Sequence, residues 1–534
     1  MKKNIIYLCA SFLFLLAGSC TDGFEELNTD PKNPTETSVY TLFNGIIKES
    51  LPLGYNEIAA IHNEQYYFQS QQLGNVTPAR PLSSGANDIW NIYYGPLKNI
   101  HLLQKMLDET QSLKTDKAHA CLNILWAYKT LRTVDYVGDM PFSNAGKADL
   151  GAEYYKVEYD DQEQIYKECL TMLNDAVKVL MNTSDTDQLT FGNNDTFLKG
   201  DFELWTKFAN SIILRYALQV QHTNSDFYVP LLTEAMNRPL IEGDESIGLW
   251  PGNMGNWSVD SRSASFRENN NSCLGTAMWN QMSKNDNVDG SGIIDPRCYV
   301  FFEPNIDGEW KAYPQNPDAS TPVQDRGAYL TASYPDGRGE GATEQEWSNK
   351  GAGCRYSPVN FYLVSDREFI PQMFITVAEV HFLKAELYNR GIGVSQNNSL
   401  AKEEYENGIK ASLDFWYNQV VEPCERWKIN KPSLSQTQID DYLEFAAYSS
   451  DESTALNQIY KQIWIDSFMQ PWVGFNLYRR TKLTPRDESG NYSDGDYSFY
   501  NVIYPESEKL YNNDNFQNAT QGNNTSNKKL FWHK

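Results

Sequence analysis

The chain has 534 residues and carries 45 Lys and Arg against 69 Asp and Glu, a formal net charge of −24 at pH 7. This balance argues against a nucleic-acid-binding or anionic-lipid-binding face, because both require a basic surface. Hydrophobic residues make up 41% of the chain and aromatic residues 13%, which excludes a disordered protein and predicts a large folded body.

The first 19 residues have the three parts of a secretory signal peptide. Lys2 and Lys3 form the positive region, an apolar run extends from Ile5 to Ala17, and small residues lead directly to Cys20. The apolar run is too short to span a bilayer. A cysteine directly after small residues resembles the lipobox of bacterial lipoproteins, which predicts cleavage before Cys20 and its acylation. The alternative is an ordinary signal peptide followed by a coincidental cysteine.

Cleavage would leave 43 basic and 69 acidic side chains, a formal charge of −26. Residues 20–35 are acidic and contain two prolines, so they are predicted to form an extended tether. Acidic residues just after the cysteine resemble the export signal that sends some lipoproteins to the outer face of the outer membrane. The alternative is a tether that is acidic only because it is solvated.

Residues 36–240 show repeated helical periodicity. Helices are predicted over 97–112, from Asp116 onward, over 160–181 and from Asp201 onward. Short connections between them predict antiparallel helix pairs like tetratricopeptide units, although the strict repeat consensus is absent. The helical pattern returns over 374–389, 401–418 and 454–480, within a C-terminal part of residues 361–534, and the tail from Ser489 lacks periodicity.

Between these helical parts, residues 241–360 are rich in Gly, Asn, Asp, Pro and Ser, with only short apolar runs. This composition predicts a long irregular region with few strands, and loops of such length inside a folded protein usually carry function. Residues 20–534 are therefore predicted to form a single, mainly α domain with one loop-rich region.

The cysteines of the mature chain are candidates for core residues or for disulfide bonds. Cys121 and Cys169 are predicted to be reduced core residues, because both fall in helical sequence. Cys273, Cys298 and Cys354 lie in loop-like sequence and could pair, but the sequence does not determine which pair forms.

Residues 285–296 partly resemble a calcium loop. Asn285, Asn287 and Asp289 supply oxygen atoms at alternate positions before Gly290, but the twelfth position is Pro296 rather than Glu. The pattern therefore favours a turn without metal, with a structural calcium ion as the alternative, and no cofactor is predicted.

Several motifs together resemble one family, the SusD/RagB-like outer-membrane lipoproteins. Each motif is weak alone, but their order runs from end to end of the mature chain. The most specific is the helix W-x-K-F-A-N-S-x-x-L-R beginning at Trp205. The motifs lie at Cys20–Thr35, Trp90–Ile100, Asp135–Ala145, Trp205–Ala217, Asp295–Arg297, Ala378–Gly391 and Trp472–Thr481.

The resemblance implies a mainly α, SusD-like fold of tetratricopeptide-like helix pairs capped by loops. It also implies a surface lipoprotein that binds oligosaccharides, or peptides in some members, and delivers them to a SusC-like TonB-dependent barrel transporter. Arg215, in the Trp205 helix, is expected to pair with a scaffold carboxylate.

Ligand contacts are predicted in loops that combine aromatic and small polar side chains. Sugar rings stack on Trp and Tyr, while amide, carboxylate and guanidinium groups bond their hydroxyls. Two regions offer this combination, one before the Trp90 helix and one within residues 250–356. The predicted contacts are Asn75, Arg80, Asn87, Asp88, Trp250, Trp257, Trp310, Tyr334, Trp347 and Tyr356. For each aromatic residue, packing within its own loop is the alternative.

An enzyme is not predicted. The six histidines show neither H-E-x-x-H nor zinc-site spacing, and G-x-S-x-G and G-x-x-x-x-G-K motifs are absent. The carboxylates are numerous enough that a paired-acid glycosidase is the enzyme alternative. The other two alternatives are a peptide binder of the same architecture and an interaction protein without a soluble ligand.

Overall fold

A computed structural model describes residues 38–534, with gaps at 55, 59–60, 63–66, 75–83, 183, 185, 251–272, 306, 315–354, 361, 364–370, 426, 428–429 and 488–499. Helices dominate the described residues, which confirms the mainly α prediction. The α-helices are α1 (Val39–Ser50), α2 (Tyr67–Ser70), α3 (Ser84–Tyr94), α4 (Leu97–Glu109), α5 (Asp116–Val137), α6 (Gln162–Met181), α7 (Phe202–Val220), α8 (Ser225–Met236), α9 (Thr276–Met282), α10 (Cys298–Phe301), α11 (Val377–Arg390), α12 (Asn398–Asp414), α13 (Gln436–Phe445), α14 (Glu452–Asp466), α15 (Pro471–Thr481), α16 (Glu506–Tyr511) and α17 (Asn513–Thr520).

Shorter elements complete the described structure. Two strands, β1 (Ile247–Leu249) and β2 (Gln372–Ile375), pair antiparallel. Single 3₁₀ turns lie at Ala148–Leu150, Ala152–Tyr154, Gly192–Asn194 and Ser467–Met469, and a π-helix at Phe415–Val421 extends α12. Within the described part of the chain, no helix combines the length and hydropathy required to cross a membrane.

Acidic caps determine where the N-terminal helices begin. Asp201 accepts hydrogen bonds from the Glu203 and Leu204 amides at 2.9 and 3.1 Å, so α7 begins directly after it, as predicted. Asp161 caps α6 in the same way, which places the start of α6 two residues after the predicted position. The helix predicted over 97–112 ends at Glu109, because Thr110 takes extended backbone angles.

The helices pack in sequential pairs around one large apolar core. Contacts join α5 to α6, α6 to α7, α7 to α8, and α11 to α12, as the paired-helix prediction requires. Helix α11 also packs on α7 and α14, and thereby joins the N-terminal and C-terminal helical parts. At the α7–α11 contact, Arg215 binds Glu379 with two bonds of 2.5 Å, which confirms the predicted carboxylate partner.

Three predictions about the C-terminal helices were wrong in detail. The helix predicted from 374 begins at Val377, because Gln372–Ile375 is a fully buried strand and Thr376 caps the helix. The continuous helix predicted over 454–480 is broken after Asp466 and resumes at Pro471, whose missing N–H suits the first turn of a helix. The tail after Ser489 contains the short helices α16 and α17, which were not predicted because α16 buries none of its side chains and α17 only two.

Candidate ligand-binding site

Four separate stretches of chain meet in a small network of backbone hydrogen bonds, which we call the loop platform. It consists of Gly74, Cys273–Gly275, Lys311–Tyr313 and Tyr356–Val359. Gly74 and Cys273 exchange two bonds of 2.8 and 3.0 Å, and Leu274 donates to the Ser357 carbonyl at 2.8 Å. Tyr313 donates to the Leu274 carbonyl at 2.8 Å, and Ser357 donates to the Lys311 carbonyl at 2.9 Å.

The loop platform holds the bases of three loops in which ligand contacts were predicted. Residues 75–83 follow Gly74, residues 251–272 end at Cys273, and residues 315–354 run between Pro314 and Arg355. Residues far apart in sequence are thus brought to one place at the loop bases. The predicted contacts within these loops, Asn75, Arg80, Trp257, Tyr334 and Trp347, lie outside the described residues, as do Cys20 and Cys354.

A small apolar cluster lies within the loop platform. Cys273, Tyr313 and Tyr356 are buried together, and the two tyrosine rings meet edge to face at 4.8 Å. Burial, reinforced by the neighbouring Cys273 thiol, raises the pKa of Tyr313 to about 12. Gly74 is required at its position because a Cβ there would lie 2.9 Å from the Tyr313 Cβ.

The segment before Gly74 ties the loop platform to the helical scaffold. The Trp464 indole of α14 donates to the Ser70 carbonyl at 2.7 Å. The Gln72 amide donates to the Trp464 carbonyl at 2.7 Å and to the Ser467 hydroxyl at 3.0 Å. Because all these atoms are buried, the segment is held by bonds that water does not replace. The sequence analysis missed this anchor, whose only sequence signal is the cluster of glutamines at 69, 71 and 72.

Asn87 and Asp88 were predicted to lie in a loop before the Trp90 helix, and this placement was wrong. Both residues belong to α3, which begins at Ser84. Asn87 is exposed, while Asp88 is half-buried and accepts the Asn56 amide at 3.2 Å. Neither side chain has a described contact with the loop platform.

Trp310 and Tyr356 are buried rather than exposed. Trp310 is 8% exposed, lies parallel to Trp279 at 6.5 Å and meets the Tyr299 ring at 5.6 Å. Tyr356 is 4% exposed within the loop platform. Their rings pack against protein, and their contact with a ligand stays a prediction.

Trp250 is the last described residue before 251–272 and lies in a cleft of about 330 Å³. Its indole is half-buried and contacts the Phe415 ring edge to face at 6.2 Å. The cleft wall also includes Phe197, Lys199 and Asp244. A partly exposed tryptophan beside charged side chains has the chemistry expected of a sugar-binding surface.

The loop predicted as a turn rather than a calcium site uses its oxygen atoms internally. The Asn285 side chain accepts the Asn287 amide at 2.9 Å, and Asp289 accepts the Ser291 amide at 2.9 Å. Hydrogen bonds from the Ser291 hydroxyl and amide lower the pKa of Asp289. Across the described ranges, no group of three metal-ligating side chains is found.

The thiols described by the structure are buried. Cys121 and Cys169 are free core residues, as predicted, and burial raises the pKa of Cys169 above its usual range. Cys298 is also a free buried thiol. Cys273 is buried within the loop platform.

Comparison with known proteins gives the relationship. The family model SusD-like, described as starch-binding and associating with the outer membrane, matches residues 31–505. The chain belongs to the SusD-like family. Among curated proteins, no sequence matches it.

Solved structures agree with a SusD-like fold. A SusD homologue from Parabacteroides distasonis is 21% identical with a TM-score of 0.67, covering 93% of this chain and 97% of that chain. A chitin-binding SusD homologue from Flavobacterium johnsoniae is 18% identical with a TM-score of 0.62, covering 92% of this chain and 97% of that chain. A Bacteroidetes SusD-like protein is 20% identical with a TM-score of 0.69, covering 93% and 100%.

In this SusD-like protein, the motifs that carried the resemblance hold the scaffold together. Trp205 donates to the Asp195 carboxylate at 2.7 Å, and Arg297 pairs with Asp295 at 2.7 Å with neither side chain exposed. Arg480 of the last motif binds both oxygens of Glu386 at 2.6 and 2.8 Å. These motifs therefore report the fold.

Proposed function

We propose that this SusD-like protein is a cell-surface lipoprotein that binds an oligosaccharide and delivers it, uncleaved, to a TonB-dependent barrel transporter. The observation that carries the proposal is the match of the starch-binding, outer-membrane-associated family over residues 31–505. The acylated Cys20 would hold the body at the outer membrane.

The described geometry supports a binding role through the loop platform. Three segments start or end on a network that is tied to α14, so their ends are held rigidly. Two of them, residues 251–272 and 315–354, are rich in aromatic and amide side chains. A rigid base lowers the entropy that a flexible loop loses when it orders around a ligand. Trp250 and its cleft provide a described aromatic surface at the base of one of these loops.

Four buried carboxylates serve the scaffold, as expected of a protein that captures a ligand without cleaving it. Glu57, Asp295, Glu379 and Glu386 each pair with an arginine within the scaffold. Although burial opposes its charge, Arg480 and Arg390 lower the pKa of Glu386 below its usual value, so this residue is an anion rather than a poised acid.

Calorimetric titration of residues 21–534 with panels of neutral oligosaccharides and of peptides tests the proposal. Product analysis after long incubation accompanies it. We expect saturable binding of one glycan class with the glycan recovered intact. Cleavage of the glycan would identify a hydrolase, binding of peptides alone would change the ligand class, and silence across both panels would contradict capture by the isolated protein.

Substitutions locate the surface used. Trp250→Ala, Trp257→Ala and Trp347→Ala are each expected to weaken binding about tenfold, since one stacked ring contributes roughly 1–3 kcal/mol in comparable sites. Trp126→Ala is the matched control, because Trp126 is also half-buried but lies on α5, among scaffold contacts with His101 and Phe142. Equal losses in the control and the three variants would show a general effect of destabilisation.

A further inference from the structure

The most exposed large apolar side chains of the described residues are concentrated in two short segments. Leu150 and Tyr155 are 66% and 68% exposed, and Leu510 and Tyr511 are 68% and 75% exposed. We call these four residues the apolar patch. Single exposed apolar residues are ordinary, but four on two segments that are hydrogen-bonded to each other point to an interaction site.

Direct bonds hold the two segments side by side. The Asn512 amide donates to the Val157 carbonyl at 2.8 Å, and the Tyr159 hydroxyl donates to Glu508 at 2.8 Å. Tyr155 precedes Val157 by two residues and Tyr511 directly precedes Asn512, so the Asn512–Val157 bond joins the two segments that carry these tyrosines. They are separated by more than 350 residues in sequence.

The base under the apolar patch is rigid. Glu508 also accepts the Trp90 indole N–H at 3.1 Å and the Asn512 amide at 3.2 Å, so one carboxylate receives three donors. The Tyr504 hydroxyl donates to the Asp139 carbonyl at 2.7 Å. Tyr155 and Tyr511 are therefore displayed by an ordered surface with a fixed shape, which reduces the entropy lost on association.

The surroundings of the apolar patch have one sign of charge. Residues 148–161 and 504–519 together contain eight carboxylates and two lysines, a formal charge of −6. Between the segments lies a cleft of about 410 Å³, lined by Asp139, Glu158, Asp160, Asp161, Asn515 and Asn518. Glu158 is exposed and makes no hydrogen bond to the described residues, so its carboxylate is available to an incoming cation.

The composition of the apolar patch favours a protein partner over a sugar. Sugars stack on flat aromatic faces, and the two leucines offer none, whereas aliphatic side chains beside tyrosines are typical of the centre of protein interfaces. The acidic rim requires a partner whose apolar contact is flanked by Lys or Arg. Among the described residues, no hydrogen bond joins these segments to the loop platform.

We propose that the apolar patch and its acidic cleft are the surface through which this protein docks on its transporter, with an apolar loop of the barrel flanked by Lys or Arg. This inference rests on the proposed delivery function. It assigns a docking surface separate from the loop platform, so that ligand capture and transporter contact use different residues.

The test uses the acylated full chain and the TonB-dependent barrel that co-purifies with it from its own outer membranes, identified by mass spectrometry. Both are purified in detergent, and their dissociation constant is measured. The triple change Tyr155→Ser, Leu510→Ser and Tyr511→Ser is expected to weaken association at least tenfold. The double change Glu153→Lys and Glu158→Lys is also expected to weaken association, and to do so more at low salt than at high salt.

The control replaces Leu113, Leu400 and Phe445 by Ser, because these side chains are also exposed but lie elsewhere. Glycan affinity, measured in parallel, should stay unchanged in all variants. If the wild-type protein binds its glycan but no barrel, the delivery role fails and this inference fails with it. If the wild-type protein and the patch variant bind the barrel equally, only this inference is overturned.

Two other results would also overturn it. Loss of glycan binding in the patch variant would make the cleft a ligand site. A change from dimer to monomer, by sedimentation, would make the patch a contact between two copies of this chain.

Discussion

Arginine–carboxylate pairs inside the helical scaffold link helices that are distant in sequence. The Arg215–Glu379 pair joins α7 to α11, and both side chains are more than nine-tenths buried. Arg132 and Glu57 form a second such pair, with both side chains 3% exposed. Buried pairs of this kind add little when intact but are costly to break, because the remaining charge has no solvent to stabilise it.

Arg215→Gln is therefore expected to lower the free energy of unfolding by about 3–5 kcal/mol, because Glu379 loses its partner. Adding Glu379→Gln should recover part of this loss. Urea denaturation measures both. In the control, Lys105→Gln should change stability by less than about 1 kcal/mol, since its pair with Glu109 is exposed. If Arg215→Gln and Lys105→Gln lowered the free energy of unfolding equally, burial would not determine the cost of breaking an ion pair.

Lys129 gives the protein a specific dependence on pH. Burial within α5, with a further contribution from Arg132, lowers the pKa of Lys129 to about 7, whereas an unfolded lysine titrates near 10.5. Between these values the unfolded chain binds more protons than the folded one, so the free energy of unfolding rises with pH.

From pH 7 to pH 9, Lys129 is expected to add about 2 kcal/mol to the stability of the wild-type protein. Lys129→Met, which keeps the volume and removes the titration, should be more stable than the wild-type protein at pH 7 and should lack this rise. Denaturation of the wild-type protein and of Lys129→Met at several pH values tests this prediction. A parallel pH dependence in the two proteins would show that Lys129 is charged when folded.

At the scale of elements, the contact between α14 and the segment before Gly74 positions the loop platform. Trp464→Phe keeps an aromatic ring, smaller than the indole, and removes the N–H that the Ser70 carbonyl accepts. We expect a loss of about 1–3 kcal/mol in stability, as for other buried groups left without a partner. If the loop platform shapes the ligand site, glycan affinity should fall several-fold as well.

Trp205→Phe is the matched control for this change. It also removes a buried indole N–H, here donated to Asp195 at 2.7 Å, but at the start of α7. A similar loss of stability with unchanged glycan affinity is expected. Equal effects on affinity would mean that stability alone, and not the loop platform, governs binding.

At the scale of the whole molecule, the acidic body is predicted to be held at the membrane by Cys20 alone. Cys20→Ser should abolish incorporation of labelled fatty acid, measured on the purified protein by mass and by label. Cys9→Ser is the control, since Cys9 lies within the predicted signal peptide and should leave acylation intact. If the Cys20→Ser protein still incorporated labelled fatty acid, another residue would carry the lipid.

Elements with a strong local signal were predicted well. The apolar periodicity of α5, α6 and α7 and the start of α7 after Asp201 are encoded within a few residues, so local patterns found them. The strand β2 was read as the start of a helix because its pairing with β1, more than 120 residues earlier, leaves no local pattern. The break at Pro471 was missed because the apolar pattern continues across it.

The helical class and the ordered motifs of the SusD-like family could be identified from the sequence, and the lipid anchor could be predicted from it, since these depend on local patterns or on residues close together. Tertiary contacts were needed to show that Gly74, Cys273 and Tyr313 belong to one loop platform, that Trp310 and Tyr356 are buried, and that the segments of Tyr155 and Tyr511 are hydrogen-bonded to each other. Burial of a side chain, and the residues that it contacts, depend on parts of the chain hundreds of positions apart, and composition does not record them.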